Sequence, residues 1–348
     1  METKETDFIP KKKKSQREQL RDVVLVLASA EKERIGGQSP VQMVAENPFL
    51  FRELVEYLRL LPISKIFVCG GFDKHWVPLK SVEIFTLVDN SWMRGPDMIT
   101  GRRCHGIAHV AGHIFIIGGF TDRIVTNRVE ALDVGKNEWK EMPPMSTNRN
   151  RPGVGVVDDR IFVIGGFDDD EFLNTCEMFE VRTNKWETIA PMPTKRYNMG
   201  VAVIGDRIIV IGGYNGREYL RTVEALNTKM NTWTTLPPIP TARSGMTVGV
   251  IDDRFIWTLG GFDGSDALDV MEIYEVEKNE WTKSSWKMTS PRSGAKSVVV
   301  NHKIFIVGGQ DRFHDALNLV EVFDVDIMTW KKSPPMFSPC GHQAAIGF

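Results

Sequence analysis

A doubled glycine returns six times along this chain, at Gly70-Gly71, Gly118-Gly119, Gly165-Gly166, Gly212-Gly213, Gly260-Gly261 and Gly308-Gly309, at a nearly constant interval. A tryptophan follows each pair at a nearly fixed distance: Trp92, Trp139, Trp186, Trp233, Trp281 and Trp330. Between each pair and its tryptophan stands a glutamate, at Glu83, Glu130, Glu177, Glu224, Glu272 and Glu321. Three residue types that keep one long period six times over make the repeat, not the residue, the unit of folding.

The residues of one repeat dictate its shape. Ahead of each glycine pair runs a short β-branched apolar stretch, as at 160–164 and 303–307, which predicts a buried strand ended by the backbone freedom of glycine. A second strand carries the glutamate, and a third the tryptophan. Asn90, Asn137, Asn184, Asn231 and Asn279 each stand two places before a tryptophan, where their tolerance of left-handed dihedrals predicts a tight turn. A further strand, such as 153–157, precedes each glycine-ended one. Four such strands make a sheet too small to bury both its faces alone, and six sheets packed face to face around an axis solve the problem.

The joint recurrence of Gly-Gly, glutamate and tryptophan resembles the kelch repeat over residues 64–348. The resemblance implies an all-β, six-bladed kelch propeller. The first repeat lacks its opening strand, whereas residues 340–348 align with the opening strands elsewhere. The tail is therefore expected to become the innermost strand of the first blade, closing the ring and removing free sheet edges. Repeat five has one extra residue between Arg254 and Gly260, which predicts a β-bulge near Trp257.

The N-terminal part divides in two. Residues 1–44 read as a basic, mostly disordered extension. Lys11, Lys12, Lys13 and Lys14 are either a nuclear import signal or a solvated tail. Residues 45–63 read as an amphipathic helix capped at Asn47 and stopped at Pro62. This segment resembles a reduced form of the BACK element that joins BTB and kelch parts in cullin-linked adaptors, and no BTB-like stretch accompanies it.

Composition narrows the function classes. A net charge of −2 offers no electrostatic reason to expect nucleic-acid binding. No apolar run reaches membrane-spanning length, and the charged N-terminus is unlike a secretory signal. Cys69, Cys104, Cys176 and Cys340 are scattered without metal-ligand spacing and no Asn-x-Ser/Thr acceptor occurs, so a cytoplasmic protein is expected. Catalysis is not expected, nor any cofactor or metal. His105, His109 and His113 have suggestive spacing, but four residues of strand span about 13 Å, too far for one ion. No nucleophile elbow or phosphate-cradling loop appears.

Recognition is expected on two loop sets, which in kelch proteins share one rim. The set between the tryptophan strand and the next opening strand repeats an arginine at a nearly fixed distance ahead of the glycines: Arg102, Arg149, Arg196, Arg243 and Arg292, with Cys340 in the sixth slot. These can grip carboxylates from a partner or pair with the strand glutamates, and their co-recurrence favours pairing. Residues that differ between repeats are the better contact candidates: His75, Trp76, Arg123, Arg217, Tyr219, Arg312, Phe313 and His314 after the glycine pairs. On the other loops they are Arg103, Arg151, Tyr197, Asn198, Ser244, Ser293 and His342. Trp76 and Phe313 fall on adjacent blades and can line one pocket, unless Trp76 folds over its own loop. Phe72, Phe120, Phe167 and Phe262 recur and read as packing. The expected function is a non-catalytic module binding another protein on its rim. The kelch resemblance implies two settings: substrate recognition for ubiquitin transfer through a cullin-linked adaptor, or binding to actin.

Overall fold

The computed structural model describes residues 65–347, and among them twenty-four strands form six antiparallel sheets of four. In the second blade the inner strand Gly106–Val110 is followed outward by His113–Ile117, Val129–Asp133 and Glu138–Met142. The other blades repeat this order, and their inner strands touch one another in a closed cycle. The expectations for residues 1–44 and 45–63, including Lys11 to Lys14, lie outside the described residues.

Beyond its first residue the glycine-ended strand is almost wholly apolar because both its faces are covered. In His113–Ile117, Ile114 and Ile116 join a core shared with Phe67 and Cys69 of the first blade. The alternate residues Phe115 and Ile117 join a core shared with Ile161 and Val163 of the third. Six such cores fill the six spaces between blades. Truncating any one of these large side chains to alanine is expected to cost about 2–5 kcal/mol.

Ring closure follows the sequence reading. Ala344–Gly347 pairs with Lys65–Cys69, from Cys69↔Ala344 to Ile66↔Gly347. Trp92 of the first blade donates its indole N–H to the Pro334 carbonyl of the last at 2.8 Å. Trp139, Trp186, Trp233 and Trp281 make the same bond to the preceding blade at 2.8–2.9 Å. Trp330 does not, for the outer strand of blade five runs on to Lys287 and leaves the buried Nε1 without an acceptor.

The five asparagines before the tryptophans all have positive φ, between 50° and 60°, and Met328 holds the sixth position at 52°. One expectation needs correcting. The strand containing Trp257 is regular against both neighbours. The extra residue is absorbed in the hairpin turn before it, where Asp252 and Asp253 both adopt positive φ. The irregularity of this blade sits instead between Val270 and Glu272, opposite the lengthened outer strand.

Candidate interaction surface

The recurrent arginines are structural. Each is almost fully buried, and each pairs with the glutamate of the same blade: Arg102–Glu130 at 2.5 Å, Arg149–Glu177 at 3.0 Å, Arg196–Glu224 at 2.9 Å, with Arg243–Glu272 and Arg292–Glu321 alike. The same guanidinium donates to the carbonyl of the first glycine in the pair, as Arg149 Nη1 does to Gly165 at 2.8 Å. Burial draws Arg102, Arg196, Arg243 and Arg292 below the usual guanidinium value, and the facing carboxylate opposes that shift. In the sixth slot the Cys340 thiol donates to the Gly70 carbonyl at 2.8 Å. There Glu83 pairs instead with Arg94 on the exposed outer strand, at 3.2 Å.

The two loop sets meet residue by residue, through bridges such as Arg103↔Phe120, Asn150↔Phe167 and Tyr197↔Tyr214. Shortly beyond each buried arginine, and beyond Cys340, the backbone turns left-handed: Cys104, Arg151, Asn198, Gly245, Gly294 and His342 have φ from 47° to 65°. Five N–H···O=C bonds link these six residues in succession at 2.8–3.1 Å, running from Gly294 through Gly245, Asn198, Arg151 and Cys104 to His342. The mouth of the axial channel is thus framed by backbone. At Gly294 a side chain would collide with the His342 ring, 2.6 Å from the position of its Cβ.

Above this frame a cavity of about 440 Å³ opens on the rim, lined by Phe72, Trp76, Phe120, Phe167, Phe172 and Tyr197 together with Arg103, Arg151, Asp169 and His342. Trp76 stacks parallel on Phe72 at 4.3 Å, held by a loop in which the Asp73 carboxylate accepts from the His75 and Val77 amides. Trp76 itself has a φ of 64°, a costly conformation for a bulky residue. Arg103 lies over Phe72, Trp76 and Phe120 at 4.9–5.6 Å, and Arg151 over Tyr197 at 5.4 Å. Among the described residues neither arginine forms an ion pair. The one carboxylate in the lining, Asp169, accepts from the Val125 N–H at 3.1 Å. Arg151 Nη2 lies 3.2 Å from His342 Nε2. Burial and the nearby cations hold His342 well below the ordinary imidazole value, so its neutral ring accepts this bond.

Of the residues singled out in the sequence, Trp76, Arg103, Arg151, Tyr197 and His342 are brought together here. Asn198 lines a smaller cavity beneath, and Tyr219 continues the aromatic row from Tyr197 through Tyr214 to Phe262. Ser244 is only 5 % exposed and its backbone is bridged to Phe262. His75, Arg123, Arg217, Arg312 and His314 are exposed on loop tips, and Ser293 is half-buried. None of these lines the cavity. Phe313 is 74 % exposed and is not in the lining either, so it shares no pocket with Trp76. Phe72, Phe120 and Phe167 do more than pack, since they form the apolar wall. Phe172 and Asn150 are lining residues that the sequence does not reveal. Their orientation depends on the loop bridges, which no spacing encodes.

A family model, the KLHDC2/KLHL20/DRC7 Kelch-repeats domain, matches the chain at residues 60–192, 147–309 and 188–345. No curated protein sequence matches it. Built as a six-bladed ring and matched by this model over residues that together span 60–345, the chain belongs to the family of Kelch-repeat propellers.

Proposed function

We propose that this protein is a receptor for an exposed segment of another protein, which docks in the rim cavity between Trp76 and Tyr197. Kelch-repeat propellers are in general non-catalytic interaction modules. One observation carries the assignment to this cavity: Arg103 and Arg151 converge on an aromatic lining without a carboxylate of their own. A guanidinium lying over aromatic rings can donate from its edge to a carboxylate, while the rings bury an apolar neighbour. The preferred guest therefore presents an acidic group beside an apolar side chain. We place this recognition in the cytoplasm, as substrate selection for ubiquitin transfer, with a separate chain supplying the cullin contact.

The test is affinity purification from cells, comparing wild type with Trp76→Ala/Arg103→Ala/Arg151→Ala. Loss of short-lived proteins with the triple variant, with cullin recovered alike in both, is the expected result. Recovery of actin in their place moves the protein to the cytoskeletal setting, and an unchanged partner set overturns the rim assignment.

A further inference from the structure

The first residue of each inner strand lines the axial channel, and five blades keep it small: Gly106, Gly153, Gly200, Thr247 and Ala344. Blade six breaks the column with Lys296. The next column compensates. A Cβ on Gly106 would collide with Val154 Cγ2 of the following blade, and one on Gly200 would lie 2.6 Å from Val248 Cγ2. The residue facing Lys296 in this way is Ala345, where other blades have isoleucine, valine or serine. A large side chain at one position and a small one at its partner make a lodged lysine, not an incidental one.

The surroundings leave that lysine uncompensated. Among the described residues, Lys296 is the only charged one lining the channel of about 350 Å³, with the neutral His105 beside it. A second cavity of about 20 Å³ is lined by Lys296, Arg151, Cys104, His105, His342 and Gln343, and shares residues with both the channel and the rim cavity. Neither lining contains an aspartate or glutamate. His105 is driven down to about 3 by burial, then by Arg102 and Lys296, so it adds no charge at neutral pH. Its ring nitrogens complete no hydrogen bond of good geometry, although the backbone of Cys69 and Arg102 comes near. Burial also lowers Lys296, and Arg151 adds to it. Two cations and two neutral imidazoles without a counter-charge form a strongly positive spot.

We propose that the channel mouth is a binding site for a small monovalent anion of the chloride class, held by the Lys296 ammonium and the Arg151 guanidinium. The space suits it, since a cavity of about 10–15 Å³ admits a single water and this one is little larger. The site does not rest on partner docking, because it would fill in the isolated propeller.

The purified full-length chain is melted in rising sodium chloride or bromide, with ionic strength held constant by a bulky organic anion. Wild type is expected to show a saturable rise in Tm. Lys296→Met keeps the chain volume and removes the charge. It should weaken the halide response about tenfold or more, as expected for a lost charge-assisted contact. At low halide the variant should be at least as stable as wild type, because a cation without a counter-charge has gone. Crystals grown in bromide should show an anomalous peak between Lys296 and Arg151. Equal halide dependence in wild type and variant, or bromide absent from that cavity, overturns the proposal. Should Lys296→Met fail to fold, the bromide crystal decides alone.

Discussion

Five blades of this ring are pinned by a buried arginine, and the sixth by a thiol. At Arg149 the guanidinium joins the Gly165 carbonyl, the Thr175 carbonyl and Glu177 in a single knot. At Cys340 the bond to the Gly70 carbonyl is kept, and Glu83 still accepts from the Phe337 amide at 2.8 Å, as Glu130 and Glu177 do from Ile99 and Ser146, but its cation is Arg94. Burial pushes the Cys340 thiol well up, so it stays a donor. What both seams conserve is a donor to the glycine carbonyl. The buried ion pair is therefore an addition that five blades carry, and in the closing blade it moves to the exposed Arg94.

The largest effect should come from breaking the closure itself. Deleting residues 341–348 strips the first blade of its inner strand and leaves the edge of Lys65–Cys69 unpaired. Thermal unfolding followed by circular dichroism should lose its single cooperative transition. Next comes the arginine knot: Arg243→Ala leaves Glu272 buried without its partner and should cost about 3–5 kcal/mol in denaturant titration. Cys340→Ala removes one neutral donor and should cost about 1 kcal/mol. Equal losses in these two variants would erase the distinction between the seams.

Acid should attack the closing side of the ring first. His105, packed near Gly70, has its folded pKa lowered from 6.5 to about 3 by burial, and His342 is lowered likewise. Between those values the unfolded chain binds more protons than the folded one, so stability falls as pH drops below 6.5. His105→Met, the residue that Met199 and Met246 place in the same column, should flatten the acid limb of a stability–pH curve. The smallest effect is expected on the opposite face. There His302 bridges Asp252 and Asp326 at 2.8 and 2.9 Å, and the two carboxylates raise its pKa above 6.5. This tie is present below 6.5 and is lost as pH rises through the raised value. A nuclear magnetic resonance titration should place His302 above an exposed reference histidine. His302→Gln should shift stability by no more than about 0.5 kcal/mol, as for other exposed pairs.

The architecture is legible because each structural device recurs in a column. The asparagine turns, the arginine–glutamate pairs and the odd cysteine slot can all be read from spacing, and the structure contains each of them. The extra residue near Trp257 makes no bulge there, because an insertion is cheaper in a hairpin turn, where aspartate tolerates positive φ, than inside a buried ladder. The rim is only half legible. Its arginines stand out by varying, but the phenylalanines behind them recur and so look architectural. Lys296 is visible as an outlier in its column, yet only the neighbouring column, with Ala345 opposite, gives that oddity a meaning.

The chain of amides from Gly294 to His342 around the channel mouth bears on how any guest is received. Because main-chain bonds hold the opening, exchanging the side chains it displays need not disturb its diameter. Such a gate does not mould itself around a visitor. Selectivity then rests on the visitor's own shape, and most of the ordering on binding falls to the guest.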